Sequence, residues 1–174
     1  MRAFYTFVAG LSRLCGIAAA LMLLMAVLVV CHMVWVRYVL EGSSIWQTEF
    51  VTYVLIAVTF VGSPYVLLTR GHVNVDLLPL YVGERTRFAL ALLASGVSLT
   101  FCLIVAWYGF EFWWEAYENR WLSETVWAVR LWIPYLSLPV GFGVLSLQYV
   151  ADILALLTGD EQPFGINADR PLGD

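Results

Sequence analysis

Apolar and polar positions in this chain segregate over some twenty residues, instead of alternating with the short periods of a soluble helix or strand. Uncharged runs cover residues 14–36, 50–69, 88–110 and 131–151. Crossing a hydrocarbon core of ~30 Å takes about 20 helical residues, so each run is long enough to span. The pattern predicts an all-α integral membrane protein with four transmembrane helices, at about 14–36, 44–69, 88–110 and 131–152. Residues 1–157 form one membrane domain, and the polar, proline- and glycine-containing segment 158–174 is expected to be a poorly ordered tail. The first span is expected to be an uncleaved anchor, because its uncharged run exceeds the 7–15 residues of a signal-peptide core.

Short interfacial helices are expected in the connections. Ser44-Ile45-Trp46-Gln47 has the S-x-x-Q form of a capping box, which predicts a helix start at Ser44. Glu49 then falls in the opening turns, where the helix dipole favours a negative charge. Trp46 and Glu49 share a face; an interfacial tryptophan beside a dipole-stabilised acid accounts for the pair without any specific role. After the second span, Arg70, His72, Asn74 and Asp76 form an abrupt polar island. It is followed by Leu77-Leu78-Pro79-Leu80-Tyr81-Val82, too short to cross and too apolar for water. That segment is expected to lie along the interface, capped by Asp76, with Arg70 snorkelling to the headgroups.

The third span carries a small-residue face at Ala91, Ser95, Gly96 and Ser98, suited to close helix contact. Beyond it, Trp113, Tyr117 and Trp121 recur at helical spacing on one face, and Glu111, Glu115 and Glu118 on another. This predicts a separate interfacial helix with its aromatics in the headgroups and its acids in water; a merely solvated face explains the acids equally well. Pro134 and Pro139, followed by Gly141 and Gly143, predict a kinked or loosely wound entry to the fourth span.

Composition strengthens the membrane assignment and sets its orientation. Apolar residues make up 61% and charged residues 13%, against roughly 25% charged in soluble domains, and mean hydropathy is +0.81. Lysine is absent, so the positive-inside rule is read from arginine. With the N-terminus inside, Arg2, Arg13, Arg70, Arg85, Arg87 and Arg170 are cytoplasmic, and Arg37, Arg120 and Arg130 lie outside. That asymmetry favours both termini inside.

The spans lack the chemistry of a conduit or a catalyst. Transporters and proton pumps retain ionisable groups at mid-membrane because such charges are costly, and the middle of all four spans has no Asp, Glu, Lys or Arg. Cys15, Cys31 and Cys102 are isolated, with no C-x-x-C pair. A bis-histidine haem needs two ligands on one iron, whereas His32 and His72 fall near opposite faces. Nucleotide, hydrolase and metalloprotease motifs are missing, and no basic patch fits nucleic acid. No enzyme activity, metal or cofactor is expected. The residues alone describe a helical subunit in contact with membrane lipid and packed against another protein, a free-standing assembly protein included.

The run from Arg37-Tyr38 through Trp46, Glu49 and Gly62 to Arg70, His72, Val75, Asp76 and Pro79 resembles the small membrane subunit of tripartite ATP-independent periplasmic (TRAP) transporters, the DctQ-like family. A second block, Ser123 followed by Trp132-Ile133-Pro134, Tyr135, Pro139 and Gly141, resembles the same family. The chain departs from the pattern at Gln47-Thr48, where many relatives carry another acid. The resemblance implies a multi-pass protein of the bacterial inner membrane. It also implies a much larger multi-span partner subunit that carries the substrate and sodium sites and moves like an elevator. A periplasmic substrate-binding protein would deliver a small organic acid or related anion. This chain would then scaffold the moving part, with Arg37, Trp46, Glu49, Arg70, His72 and Asp76 as structural polar contacts and Glu111, Glu115 and Glu118 as docking candidates for the binding protein.

Overall fold

A computed structural model describes residues 2–69 and 84–158. Its helices are α1 (Arg2–Val39), α2 (Ile45–Leu68), α3 (Glu84–Glu118), the single turn α4 (Trp132–Tyr135) and α5 (Ser137–Thr158). Four segments of the described residues are long and apolar enough to cross a membrane, the last of them running from Trp132 through α4 and α5. Among the described residues the sole β feature is an isolated antiparallel bridge between Leu122 and Arg130. The expected all-α, four-span architecture is therefore present.

Packing is uneven. α5 touches α1, α2 and α3, and α1 lies along α2, whereas α3 rests chiefly on α4 and α5. The interior of the bundle is built from small residues, with Ala9, Ala19, Ala26, Ala91, Ala151 and Ala155 all buried. Small side chains let backbones approach closely where lipid tails remove any hydrophobic drive between helices. Large apolar side chains point outward instead, Leu14, Leu21 and Leu28 on α1 and Leu93, Val97 and Phe101 on α3 among them.

Two helix crossings show the logic. At the α1–α2 contact Gly16 faces the Tyr65 ring, where a Cβ would collide, and Gly62 lies against Ala19. At the α2–α5 contact Gly141 sits on the carbonyl of Phe60, which a Cβ would overlap. That carbonyl is special because Pro64 lies inside α2 and has no N–H to return to it. The Ser63 hydroxyl donates to the Phe60 oxygen instead, at 2.8 Å. Proline thus frees a backbone acceptor, serine satisfies it, and glycine lets the neighbouring helix close over it. Thr48, Thr52, Thr59 and Thr69 likewise donate to carbonyls one turn back in α2, which is how an apolar span carries so many hydroxyls.

Several local expectations change. Residues 111–118 do not form a separate interfacial helix; they continue α3, whose 35 residues reach about 52 Å at 1.5 Å per residue. The helical periodicity is real, but nothing between 110 and 111 breaks the helix. It ends where Asn119 and Arg120 close it: Trp121 N–H donates to Ala116 O and Arg120 N–H to Tyr117 O, a Schellman pair with Arg120 left-handed at φ 52°. Trp121 consequently leaves the Trp113–Tyr117 face and meets Phe112 edge-on. On the small-residue face of α3, Ala91 is buried, but Gly96 has open space around it. The proline block breaks the entry to the last span as expected, with Leu136 separating α4 from α5. The capping box does not form: Ser44 holds the N-cap position at φ −121°, ψ 33° without a side-chain cap, outside the extended backbone that directs a capping hydroxyl onto the first turn.

Candidate functional site

The site is built where α2 begins. Beyond α3 the chain folds back as a small hairpin over residues 121–131. It is closed by the Leu122–Arg130 bridge, by Ser123 N–H to Val129 O at 2.9 Å and by Leu131 N–H to Trp121 O at 3.0 Å. Ala128, left-handed at φ 47°, makes its reversal. Trp113 on α3 pins the exit of the hairpin by donating its indole N–H to Trp132 O at 3.1 Å, and the Tyr117 and Trp132 rings meet edge-on.

The tip of the hairpin is fastened to α2 by Glu49. Ser123 and Thr125 each donate a hydroxyl to its carboxylate, and Tyr53, one turn further along α2, donates a third at 2.9 Å. Thr125 N–H in turn donates to Ser123 Oγ. A carboxylate takes such donors because it has about four lone-pair sites and no proton to offer. Beside this cluster Trp46 lies between the His32 ring of α1 and the Trp127 ring of the hairpin, both at 6.1 Å, and Phe50 meets Trp127 edge-on. Trp46 and Glu49 thus have specific partners: together they bind the hairpin to the α1–α2 corner.

Other expected residues fall elsewhere. Arg37 is exposed in the last turn of α1, where a cation suits the C-terminal dipole. Glu111, Glu115 and Glu118 are exposed on the final turns of α3, and Glu111 accepts the Trp107 indole N–H at 3.0 Å. Arg70, His72 and Asp76 lie outside the described residues, as does the interfacial segment that follows them. Gln47, the last residue of the S-x-x-Q motif, is 1% exposed, and its Oε1 has no hydrogen-bond partner among the described residues.

A second polar tie was not anticipated from sequence. Ser12 of α1 donates to Gln148 Oε1 of α5 at 2.8 Å, and Gln148 Nε2 donates to Asp152 Oδ1 at 2.9 Å. Ser12 and Gln148 are both fully buried. The one available signal was Gln148 itself, an amide inside an apolar run four residues before an acid, because a buried amide needs a partner.

Among the described residues no cluster of His, Cys, Asp or Glu suits a metal, and the three cysteines are unpaired. The arrangement can join helices and shape a surface.

Comparison with known proteins identifies a membrane transport component. The family model described as "Tripartite ATP-independent periplasmic transporters, DctQ component" matches residues 25–159. The C4-dicarboxylate TRAP transporter small permease protein DctQ of Vibrio cholerae is 22% identical over 159 residues, covering 78% of this chain and 68% of that protein. The family is a transport component and not an enzyme, and its four apolar helices suit a multi-pass protein of the bacterial inner membrane. The chain belongs to the DctQ family of TRAP transporter small permease subunits.

Proposed function

We propose that this subunit is the static membrane partner of a larger TRAP subunit in sodium-driven, binding-protein-dependent uptake of a small organic acid or related anion. One observation carries the reading: no span has an Asp, Glu, Lys or Arg at its middle, and the acid at the head of α2 is spent on fastening a hairpin. Such a chain has groups to build with and none to conduct with. The Vibrio relative is named for C4-dicarboxylates; the common chemistry carried over is that of a small anion.

The arginine asymmetry supports an orientation with both termini and the tail 158–174 cytoplasmic, so the hairpin faces the periplasm. Arg70, His72 and Asp76 then anchor the cytoplasmic ends and contribute polar contacts to the large subunit, as does Arg37 on the opposite side, where Trp46 and Glu49 act structurally by holding the hairpin that shapes the contact surface. Glu111, Glu115 and Glu118 stand beside the hairpin, where an acidic patch raises the encounter rate with a basic surface on the binding protein.

The test is affinity purification of the tagged chain from native membranes under mild detergent. The expected result is co-recovery of one large multi-span protein in fixed ratio. Recovery of this chain with copies of itself alone would replace the proposal with a free-standing assembly protein. Reporter fusions after Gly83 and after Thr158 should both read cytoplasmic; a periplasmic signal at either reverses the orientation.

A further inference from the structure

Below the Glu49 cluster a groove of about 510 Å³ runs between the spans, within the ~300–1,000 Å³ range of small-molecule sites. Met22 of α1, Phe50, Tyr53 and Ala57 of α2, Trp127 of the hairpin and Val140 of α5 are among its walls. Its two lining hydroxyls are already committed, Tyr53 to Glu49 and Ser137 to the Pro134 carbonyl at 2.6 Å. A chain of waters needs two to four polar partners per molecule, and this groove offers none. Its natural filling is hydrocarbon, which the surrounding bilayer supplies.

The mouth of the groove is not neutral. Tyr53 both lines it and donates to Glu49, so the carboxylate stands at its rim. The three hydroxyls on Glu49 leave roughly one of its four lone-pair sites, and no cationic side chain acts on it among the described residues. A carboxylate with an acceptor site still open, above an apolar slot and beside the Trp46 and Trp127 rings, matches a lipid with an N–H-bearing cationic headgroup. Tryptophan prefers that same headgroup level.

We propose that the groove holds one acyl chain of an aminophospholipid whose ammonium group donates to Glu49. The ammonium completes the carboxylate, and the chain fills the space between α1, α2 and α5. Phosphatidylcholine, with no N–H to donate, fills the groove but loses the headgroup bond. Phosphatidylglycerol brings a net negative charge to a carboxylate and is disfavoured.

Native mass spectrometry of the full chain, released from micelles containing phosphatidylethanolamine, phosphatidylcholine or phosphatidylglycerol in turn, tests this. Phosphatidylethanolamine should be retained over the other two by on the order of tenfold, the scale of a charge-assisted hydrogen bond. Glu49→Gln should bring phosphatidylethanolamine level with phosphatidylcholine, and Ala57→Phe, which obstructs the groove, should abolish retention of all three. The double variant Ser123→Ala/Thr125→Ala loosens the hairpin but keeps the carboxylate, so its headgroup preference should persist. Equal retention of all three lipids by the wild type, or retention unchanged by Ala57→Phe, overturns the proposal. So does disulfide trapping of Ala57→Cys against the large subunit in the purified complex, which would put a protein helix in the groove.

Discussion

Two polar ties stand out among the described residues, and they are made differently. At the hairpin end one carboxylate gathers three hydroxyls from two segments at a partly exposed position. Along the α1–α5 contact, one serine and one amide meet in complete burial. The first fastens a loop, and its loss leaves the spans packed. The second joins helices in the interior, where an unmatched polar group has no water to turn to. The contrast separates what shapes a surface from what holds the bundle together.

The largest effect is expected from attacking the packing that both ties presuppose. Gly141→Leu would drive a side chain into the Phe60 carbonyl, an overpacking cost of about 3 kcal/mol or more. Its thermal transition in detergent should fall steeply or vanish; an unchanged transition would mean that α2 and α5 do not cross there. Gln148→Leu comes next. It strips Ser12 of its acceptor and Asp152 of a donor, while Ser12→Ala leaves the buried Gln148 Oε1 without the Ser12 donor; each should cost about 1–3 kcal/mol, with Gln148→Leu the larger loss. Equal losses for the two variants would show that the Ser12–Gln148 bond is all that Gln148 contributes.

A gain is expected at the hairpin end. Arg120 holds a left-handed position that costs a side chain about 1–2 kcal/mol, so Arg120→Gly should stabilise the end of α3 by about 1 kcal/mol. A lower melting temperature would show that the arginine side chain has a partner worth more than the strain. The smallest effect concerns the acids of α3. Reversing Glu115 and Glu118 to lysine should slow binding-protein-dependent uptake a few-fold at low ionic strength and little at high salt, because exposed charges act mainly on encounter rate and are screened. Uptake unchanged at every salt concentration would leave these residues as a solvated helix face.

The same contrast shows how far the sequence could be read. The spans were legible because uncharged runs of membrane length have few other uses, and the break near Pro134 because proline cannot continue a hydrogen-bond ladder. Glu49 was legible as a position, through its spacing from Trp46 and the family pattern. Its partners were not, because Ser123 and Thr125 lie more than seventy residues away and nothing local reports a hairpin folding back. Gln148 is inconspicuous in the sequence because an amide carries no charge and does not interrupt an apolar run. Residues 111–118 misled in the opposite way: helical periodicity there was real, but periodicity does not tell a new helix from the continuation of an old one. The capping box failed for a related reason, since a motif fixes residue types and not the backbone angles that let a hydroxyl turn inward.

The central claim is that Glu49 organises the hairpin and leaves the bundle beneath it alone. Hydrogen exchange on Glu49→Gln against wild type tests it most directly. The amides of Ser123 and Leu131, bonded to Val129 O and Trp121 O, should exchange faster by on the order of tenfold, while protection across α5 stays at the wild-type level. Hairpin amides as protected as in the wild type, or a loss of protection spread equally through α5, would contradict the claim.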